Sequence, residues 1–564
     1  MKLKHILPAT IMGLCLLASS CYDDKGNYDY DTLNDVDINV KMETTRYVLG
    51  EVIKITPVLN FTFGKATNEL TYKWTFDKKV ISTEKDLNWV VDELGNSKHL
   101  QLEVKDETTG ITYYGSEIIS VTSPYVGDGW LVLSEKDNKS VLTYLRQNTE
   151  DGKMKCIVTR DIYSLINQEP LGSQPTHMSV HYVNMWNSED VTGWVWVSQK
   201  GGQGCVDLSG SSYRREGLLP SMFLAGHYPD HFTPNAVFDL RMLTLAVGED
   251  GSIYTRVKEN DLLFNSGYFL GDRPLTYTKS TTDGKTVSNK VDGTHLAMAP
   301  FADHGGILLY DKNSSEYLHV CDARDSYISW QTGNLVINAV YSGKVLPLTV
   351  DEKAYKRVPE FTRLDQMKDH KLHYVGSYRT EDYGTTGYMS VIEKGGVFYL
   401  QNFKVSDFDI YSPDVMGAEP ISQEEIFSMG SYVDGISKNI FALSRYQNKV
   451  PGLFFTKGND LYMLYLKGQT LTPVLFAHFD APIASIDLEN TFSKYLSVGL
   501  ENGEFYIMSL NLSVIEDVLK TGPVRPSDGV DNKKVLFHEK DLGKIIQVLF
   551  KNPSNTGDWS WDLE

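Results

Sequence analysis

The chain has 564 residues, of which 73 are acidic and 54 basic, and its formal net charge is −19. This length is enough for several domains, or for one small domain beside a large closed β-structure. Its 33 Tyr and 45 Gly favour strands and turns over long helices, and the acidic balance argues against nucleic acid or an anionic membrane surface as partner.

The chain begins with a secretory leader. A short basic start precedes an apolar run over residues 6–17, and small residues then lead into Cys21. This order is typical of a signal peptide, and the run is shorter than the roughly 20 residues of a permanent membrane helix. We expect residues 1–20 to be removed and Cys21 to be acylated, so that lipid is the only membrane attachment. The alternative is an ordinary cleaved signal with an incidental cysteine.

Residues 21–33 follow as an acidic and aromatic tether. They contain several Asp and Tyr residues without apolar alternation, which indicates a solvated segment rather than part of a core.

Residues 34–122 are predicted to form an immunoglobulin/PKD-like β-sandwich. Short runs in this stretch alternate polar and apolar residues, with turn residues between them. Trp74, in a central run, is the expected core residue. The runs lie at residues 37–42, 52–59, 70–76, 99–104 and 118–121.

The start of the mature chain resembles the PKD-like family lipoproteins of Bacteroidota. The resemblance is carried by CYDDKGNYDY at residues 21–30, by LGEVIKITP at residues 49–57 and by the Tyr-Lys-Trp that ends at Trp74. It implies a surface lipoprotein, often encoded beside an outer-membrane SusC/SusD-like nutrient importer. Asp23 and Asp24 resemble the signal that exports such lipoproteins to the outer face. The family offers no catalytic motif to transfer.

Residues 125–564 repeat one pattern seven times: an apolar strand, a tight polar or glycine turn, and a second apolar strand. Turns of the Asp-Gly and Asn-Gly kind favour tight hairpins, because those residues tolerate positive φ. Repetition at this spacing predicts a β-propeller of about seven blades, each built on one hairpin. The hairpins are predicted at residues 130–145, 194–208, 243–257, 307–320, 391–400, 453–466 and 496–508.

Two other interpretations bear on this region. A series of consecutive sandwich domains is the rival to the propeller, although no Pro/Ser-rich linker follows residue 124. Helical patterns are confined to residues 512–520 and 422–429, and each is long enough for only about two turns. The chain is therefore predicted to be all-β.

No catalytic motif is present: the sequence lacks a Gly-x-Ser-x-Gly elbow, a His-Glu-x-x-His helix and a P-loop. Cys156, Cys205 and Cys321 are far apart and allow at most one disulfide. His177 and His181 would share one face of a strand, but backbone hydrogen bonding is the commoner role of such residues. We therefore predict no metal, no cofactor and no enzymatic activity.

Aromatic residues in polar loops are the better indication of function. Trp186 lies in a polar segment, and His227, Tyr228 and His231 lie in a second loop with further rings. Exposed rings beside polar groups suit the capture of a sugar or a peptide. These four residues are the predicted ligand contacts.

These observations predict a lipid-anchored protein of the outer membrane, exposed at the cell surface. It is expected to bind a glycan or peptide, or to act as a scaffold, as an accessory of a SusC/SusD-like importer. A propeller-based hydrolase of glycan or peptide is the alternative, and an adhesin is the third possibility.

Overall fold

The structure is a computed structural model. It describes residues 33–42, 44–181, 193–240, 243–257, 267–280, 283–293, 296–298, 306–333, 335–381, 385–406, 408–432, 441–489 and 492–552. The chain divides into two compact units, Met1–Pro124 and Tyr125–Glu564.

The first unit is a β-sandwich. Strands β2, β9, β8, β5 and β6 form one sheet in that order, and the pairs β3–β7 and β1–β4 form two small sheets. The nine strands are Val36–Asn39 (β1), Arg46–Val48 (β2), Val52–Ile55 (β3), Val58–Phe61 (β4), Leu70–Phe76 (β5), Lys79–Ser82 (β6), Leu87–Val90 (β7), Gly95–Asp106 (β8) and Thr112–Thr122 (β9).

The core of the sandwich lies between the five-stranded sheet and the β3–β7 pair. Trp74 on β5 is fully buried, and its indole N–H donates to the carbonyl of Lys85 at 3.2 Å. Phe76 on the same strand meets Trp89 of β7, with ring centroids 5.2 Å apart. The predicted sandwich and the core position of Trp74 are confirmed.

The second unit contains the remaining strands. In chain order they are Gly129–Lys136 (β10), Lys139–Glu150 (β11), Lys153–Thr159 (β12), Gly172–His181 (β13), Trp194–Gly202 (β14), Val206–Leu208 (β15), Arg215–Leu218 (β16), Pro234–Asp239 (β17), Leu243–Gly248 (β18), Ile253–Val257 (β19), Thr276–Ser280 (β20), Thr286–Lys290 (β21), Leu296–Met298 (β22), Gly306–Asp311 (β23), Glu316–Cys321 (β24), Arg324–Ile328 (β25), Leu335–Val340 (β26), Val345–Thr349 (β27), Lys371–Arg379 (β28), Thr385–Lys394 (β29), Val397–Ser406 (β30), Met416–Ile426 (β31), Phe441–Leu443 (β32), Gly452–Lys457 (β33), Asp460–Tyr465 (β34), Val474–His478 (β35), Ile483–Leu488 (β36), Tyr495–Leu500 (β37), Phe505–Ser509 (β38), Val535–Glu539 (β39) and Lys544–Lys551 (β40). Among the described residues, the α-helices are Ile162–Asn167 (α1), Glu352–Arg357 (α2) and Leu512–Thr521 (α3).

These strands form seven blades. From the inner to the outer strand, blade 1 is β40-β10-β11-β12, blade 2 is β13 to β16, and blade 3 is β17 to β19. Blade 4 is β22-β23-β24-β27, and blades 5, 6 and 7 are β28 to β31, β32 to β35 and β36 to β39. Inner strands of neighbouring blades contact one another: β36 meets β40, β40 meets β13, and β13 meets β17. The predicted β-propeller is confirmed, and the rival series of sandwiches is wrong.

All seven predicted hairpins form the second and third strands of a blade. These strands are buried on both faces, as in β18 and β23, where every described residue is buried. Each blade packs between two others, so its middle strands become continuous apolar runs. In the first hairpin, Asp137 and Asn138 take φ values of 52° and 58°, as a two-residue hairpin turn requires.

Two features of the outer strands were not predicted. β27 and β31 pair in parallel, with Leu348 opposite Met416, and so join the outer edges of blades 4 and 5. Residues 422–429, predicted as a helix, instead include the end of β31, where Ser422 pairs with Asn402 of β30. Tertiary pairing therefore overrides a weak local preference. The predicted helix at residues 512–520 is confirmed as α3.

The ring closes within blade 1, where the last strand pairs with the first. β40 runs antiparallel to β10, with Trp130 opposite Phe550 and Val132 opposite Val548. The rings of Trp130 and Phe550 meet edge to face at 5.2 Å. Beside them, the hydroxyl of Ser134 donates to the carbonyl of Leu542 at 2.5 Å. We call this strand pair the seam.

Side chains from one inner strand satisfy backbone groups of the next. The carboxylate of Asp487 in blade 7 accepts the N–H of Phe550 at 2.6 Å. The hydroxyl of Ser485 in the same blade accepts the N–H of Val548 at 3.1 Å. Gln547 of blade 1 accepts the N–H of Met178 in blade 2 and donates to its carbonyl. Blade 2 is joined to blade 3 in the same way. The hydroxyl of Thr176 donates to the carbonyl of Asn235, and the hydroxyl of Ser179 donates to that of Val237.

We expect Phe550→Ala to destabilise the propeller by about 3–5 kcal/mol, because it removes a buried ring from the seam. Lys544→Ala, at the exposed start of the same strand, is the control and should change stability by no more than about 0.5 kcal/mol. The free energy of unfolding from urea titration measures both. Equal values for the two variants would contradict the importance of the seam.

Burial raises the pKa of Asp487 to about 7, although the N–H of Phe550 and nearby Arg445 oppose the shift. The folded state therefore holds a proton that the unfolded state releases near its ordinary pKa of 3.8. Stability should fall as pH rises from about 4 to about 7 and then level off. Asp487→Asn keeps an acceptor oxygen and should flatten this decline, leaving the variant more stable than the parent at pH 8.

Thermal unfolding at a series of pH values measures this effect. Asp151→Asn, which alters an exposed carboxyl in a turn, is the matched control and should leave the pH curve unchanged. An Asp487→Asn variant that follows the parent curve would show that this carboxyl does not titrate in the predicted range.

Candidate functional site

Four residues singled out from the sequence lie outside the described residues: Cys21, Asp23, Asp24 and Trp186. Lipidation, surface export and ligand contact by Trp186 therefore stay predictions. In the part of the chain that the structure describes, no helix has the length and hydrophobicity needed to cross a bilayer.

The predicted loop with His227, Tyr228 and His231 connects blade 2 to blade 3. Both histidines are exposed, and Tyr228 is half-buried. The Tyr228 ring packs edge to face on Phe223, with centroids 5.0 Å apart, and its hydroxyl donates to the carbonyl of Phe232 at 3.3 Å. Burial raises the pKa of Tyr228 to about 12. Its ring thus helps to hold the loop, while the two imidazoles face solvent.

Side chains able to ligate a metal across the described regions bear on the predicted absence of a metal site. No group of three or more His, Cys, Asp or Glu side chains there is arranged to hold a metal ion. Cys205 and Cys321 are buried free thiols, and Cys156 is a half-buried one. Burial raises the pKa of all three to about 12, so they stay protonated and unreactive at neutral pH.

A cleft of about 720 Å³ opens beside the seam, between blades 1 and 7. Its walls come from the β11–β12 connection, from the start of β37 and from the long segment between β38 and β39. In an antiparallel blade, the loop from the first to the second strand and the loop from the third to the fourth strand lie at the same end. The cleft is therefore at the end of the propeller where these connections meet, and we call it the seam cleft.

Glu489 shapes one wall of the seam cleft. It is only 5% exposed, and its carboxylate accepts the backbone N–H groups of Phe492 and Lys494 at 3.0 and 3.1 Å. Its backbone accepts from Ser493 and donates to Tyr495. These bonds hold residues 492–495 against Glu489, and so they fix the backbone positions of Lys494 and Tyr495.

The opposite wall depends on a tight turn at Asp531. One carboxylate oxygen accepts the backbone N–H groups of Lys533, Lys534 and Val535 at 2.8–2.9 Å. Partial burial opposes ionisation, but these bonds outweigh it and keep the pKa of Asp531 below its ordinary value. The turn presents Lys533 and Lys534 to the cleft. Lys534 forms an ion pair with Asp517 of α3 at 2.5 Å.

The lining of the seam cleft is polar and basic. It includes four lysines and a single carboxylate, that of Asp517. Amides and hydroxyls supply further hydrogen-bonding groups, and Tyr495 is a half-buried ring at the edge. Burial raises the pKa of Tyr495 despite its hydrogen bond to Gln147. Such a lining can hold a polar ligand by several directional contacts.

The same end of the propeller carries two exposed aromatic side chains. The β25–β26 hairpin, inserted between the third and outer strands of blade 4, presents a fully exposed Trp330. Tyr411, in the corresponding connection of blade 5, is 89% exposed. The two connections are tied by the ion pair of Lys344 with Asp414 at 2.7 Å. Large exposed rings of this kind are typical of interaction surfaces.

Neither the seam cleft nor the exposed rings of Trp330 and Tyr411 were predicted from the sequence. The cleft combines three segments that are far apart in sequence, and none of them carries a recognisable motif. The neighbouring Lys533 and Lys534 were the only local indication. Trp330 could have been found by the criterion that selected Trp186, since it also lies in a polar stretch, Ser-Trp-Gln-Thr-Gly.

Comparison with known families supports the PKD-like assignment of the first unit. The model of the PKD-like family matches residues 21–175, which confirms the PKD-like part of that resemblance and extends it into the first blade. No curated protein matches the chain in sequence.

Among solved structures, similarity is broad but distant. A quinonprotein alcohol dehydrogenase-like protein from Bacteroides thetaiotaomicron is 13% identical over 92% of this chain and 100% of its own, with a TM-score of 0.37. Apo AztD from Citrobacter koseri is 9% identical over 86% of this chain and 100% of its own, with a TM-score of 0.27. The propeller domain of a Myceliophteria thermophila Cps50 (Swd1) is 11% identical over 66% of this chain and 89% of its own, with a TM-score of 0.29. Identities this low do not transfer a substrate or an activity.

We expect Glu489→Ala to loosen residues 492–494 before β37 and to cost about 1–3 kcal/mol, because half-buried N–H groups lose a charged acceptor. Hydrogen exchange should quicken at the amides of Phe492 and Lys494. Glu501→Ala, an exposed change at the opposite end of the same blade, is the control and should leave exchange at both amides unchanged. Unaltered exchange in Glu489→Ala would show that the loop holds its shape without this carboxylate.

Proposed function

We propose that this protein is a lipid-anchored, cell-surface binding protein that serves a SusC/SusD-like importer in the outer membrane. The seam cleft carries the binding part of this proposal, since it is concave, polar and built from loops fixed by the carboxylates of Glu489 and Asp531. Its ligand is a glycan or a peptide. The leader, Cys21 and the PKD-like match over residues 21–175 support the surface location.

Binding without hydrolysis suits the chemistry of the cleft lining. Most glycoside hydrolases use two carboxyl groups that flank the scissile bond. The described lining contains only Asp517, and the ion pair with Lys534 holds the pKa of this carboxyl below its ordinary value. An ionised, paired carboxylate is a poor proton donor at neutral pH. This favours capture over hydrolysis and leaves the hydrolase as the second candidate.

A lipid anchor would increase the value of even weak binding. An acylated protein is confined to the membrane plane, so its effective concentration near an importer in the same membrane is high. The sandwich and the tether at residues 21–33 then lie between the lipid and the propeller in sequence. The exposed rings of Trp330 and Tyr411 offer a surface for a protein partner.

Affinity capture tests the proposal. The tagged full-length protein, extracted from its native membranes in mild detergent, should recover a SusC/SusD-like pair. Trp330→Ala together with Tyr411→Ala should lower this recovery while leaving the fold intact, because both side chains are exposed. Leu165→Ala, an exposed apolar change in α1, is the matched control.

The anchor is tested in the same preparation. Cys21→Ser should abolish labelling by a fatty-acid analogue and release the protein from the membrane fraction. Recovery of the tagged protein without any importer component would contradict the accessory role. A Cys21→Ser protein that still takes up the label and stays with the membrane would contradict the lipid anchor.

A further inference from the structure

The seam cleft is basic on a protein that is strongly acidic. Although the chain carries a formal charge of −19, four of the residues that line the cleft are lysines and one is a carboxylate. Lys534 is neutralised by Asp517. Local charge opposite in sign to the net charge attracts ligands that the rest of the surface repels.

Three lysines of the cleft keep their charge available. Among the described residues, Lys153, Lys494 and Lys533 form no ion pair, and all three are exposed. The ammonium group of Lys494 lies 4.6 Å from the ring centroid of Phe492, a contact that orients the side chain without neutralising it. The three cations come from blade 1, from the loop before β37 and from the turn at Asp531. They therefore surround the cleft rather than lying side by side.

The neutral groups of the lining match hydroxyl-rich ligands. Asn511 is the N-cap residue of α3, yet its side chain makes no capping hydrogen bond, so its amide is available to a ligand. Gln147, Asn532 and the hydroxyl of Ser513 add further donors and acceptors. Together with the edge ring of Tyr495, such groups bind sugar hydroxyls and the apolar faces of sugar rings.

The start of α3 adds to the positive potential. Asn511, Ser513 and Val514 line the cleft, so the N-terminal end of this ten-residue helix faces it. The helix has no acidic residue in its first turn to offset its dipole. The partial positive charge of a helix N-terminus favours anions nearby.

We propose that the seam cleft binds an acidic oligosaccharide, with the carboxylate or sulfate groups of the sugar paired to Lys153, Lys494 and Lys533. This rests on the proposed binding function and specifies its ligand. The volume of about 720 Å³ lies within the roughly 300–1,000 Å³ range of small-ligand sites, and it suits a short oligosaccharide rather than a polymer along its whole length.

Calorimetric titration of the intact protein tests the proposal with four probes. They are a galacturonic acid tetramer, a sulfated tetrasaccharide, a neutral galactose tetramer and a glutamate tetrapeptide. At least one acidic sugar should bind ten-fold or more tightly than the neutral sugar and the peptide. Its affinity should fall several-fold between 50 and 300 mM salt, because charge pairing is screened. The two acidic probes distinguish a carboxylate ligand from a sulfated one.

Substitutions locate the site and separate charge from shape. Lys153→Gln together with Lys533→Gln should weaken binding of the acidic sugar ten-fold or more and remove most of its salt dependence. Lys353→Gln together with Lys356→Gln, two exposed lysines of α2, is the matched control and should have no effect. Asn511→Ala should weaken binding by the same factor at both salt concentrations, since it removes a neutral contact.

The outcomes separate this inference from the function on which it rests. Equal binding of neutral and acidic sugars, or an unchanged affinity in the double lysine variant, would overturn the acidic ligand and leave a binding protein. Preference for the peptide would overturn the saccharide class. Failure of all four probes to bind, in a protein that unfolds cooperatively, would count against both the acidic ligand and capture by this cleft.

Discussion

The pairing of β10 with β40 is the constraint on which the propeller depends. Strands that neighbour each other within blades 2, 3, 5, 6 and 7 also follow one another in sequence. The seam instead joins the two ends of the propeller sequence and holds them by hydrogen bonds and packing alone. Loop-closure entropy opposes such a long-range contact, so the buried rings of Trp130 and Phe550 must supply much of the free energy that keeps the ring closed.

The backbone hydrogen-bonding groups of the inner strands depend on contacts between neighbouring blades. Each inner strand is the edge of its sheet, with backbone N–H and carbonyl groups that have no neighbouring strand. The side chains of Asp487, Gln547 and Ser179 pair with those groups on the next blade. In this way the inner strands of blades 7, 1, 2 and 3 are linked in series. Burial raises the pKa of Asp487, because the neutral form of a carboxyl is the cheaper one to bury.

The sequence predicted the middle of each blade better than its edges. The second and third strands are buried on both faces, so their apolar runs are visible without any knowledge of partners. Outer strands such as β12 alternate exposed and half-buried positions, and inner strands such as β13 carry Pro175 and several polar residues. The outer strand β31 was partly interpreted as a helix. Its strand conformation follows from pairing with β30 and β27, which no local pattern encodes.

The candidate site could not be predicted for a related reason. Lys153 and Lys533 belong to blades 1 and 7, and only closure of the ring brings their segments to one cleft. The chosen loop with His227 and His231 was visible as a cluster in the sequence, but its Tyr228 packs inward on Phe223. Local clusters of rings therefore report loop packing as readily as ligand contact, whereas a site assembled from distant segments leaves no local pattern.

Binding and ring closure share residues at the seam cleft. The Tyr495 ring lies at the edge of the cleft and also meets Trp130 of the seam, with ring centroids 6.1 Å apart. A ligand held between blades 1 and 7 would contact both sides of the single break in chain continuity around the ring. Because such a ligand binds only the closed ring, its binding free energy adds to the stability of closure. The cleft is thus the place on the propeller where capture of a ligand has the most direct effect on the stability of the fold.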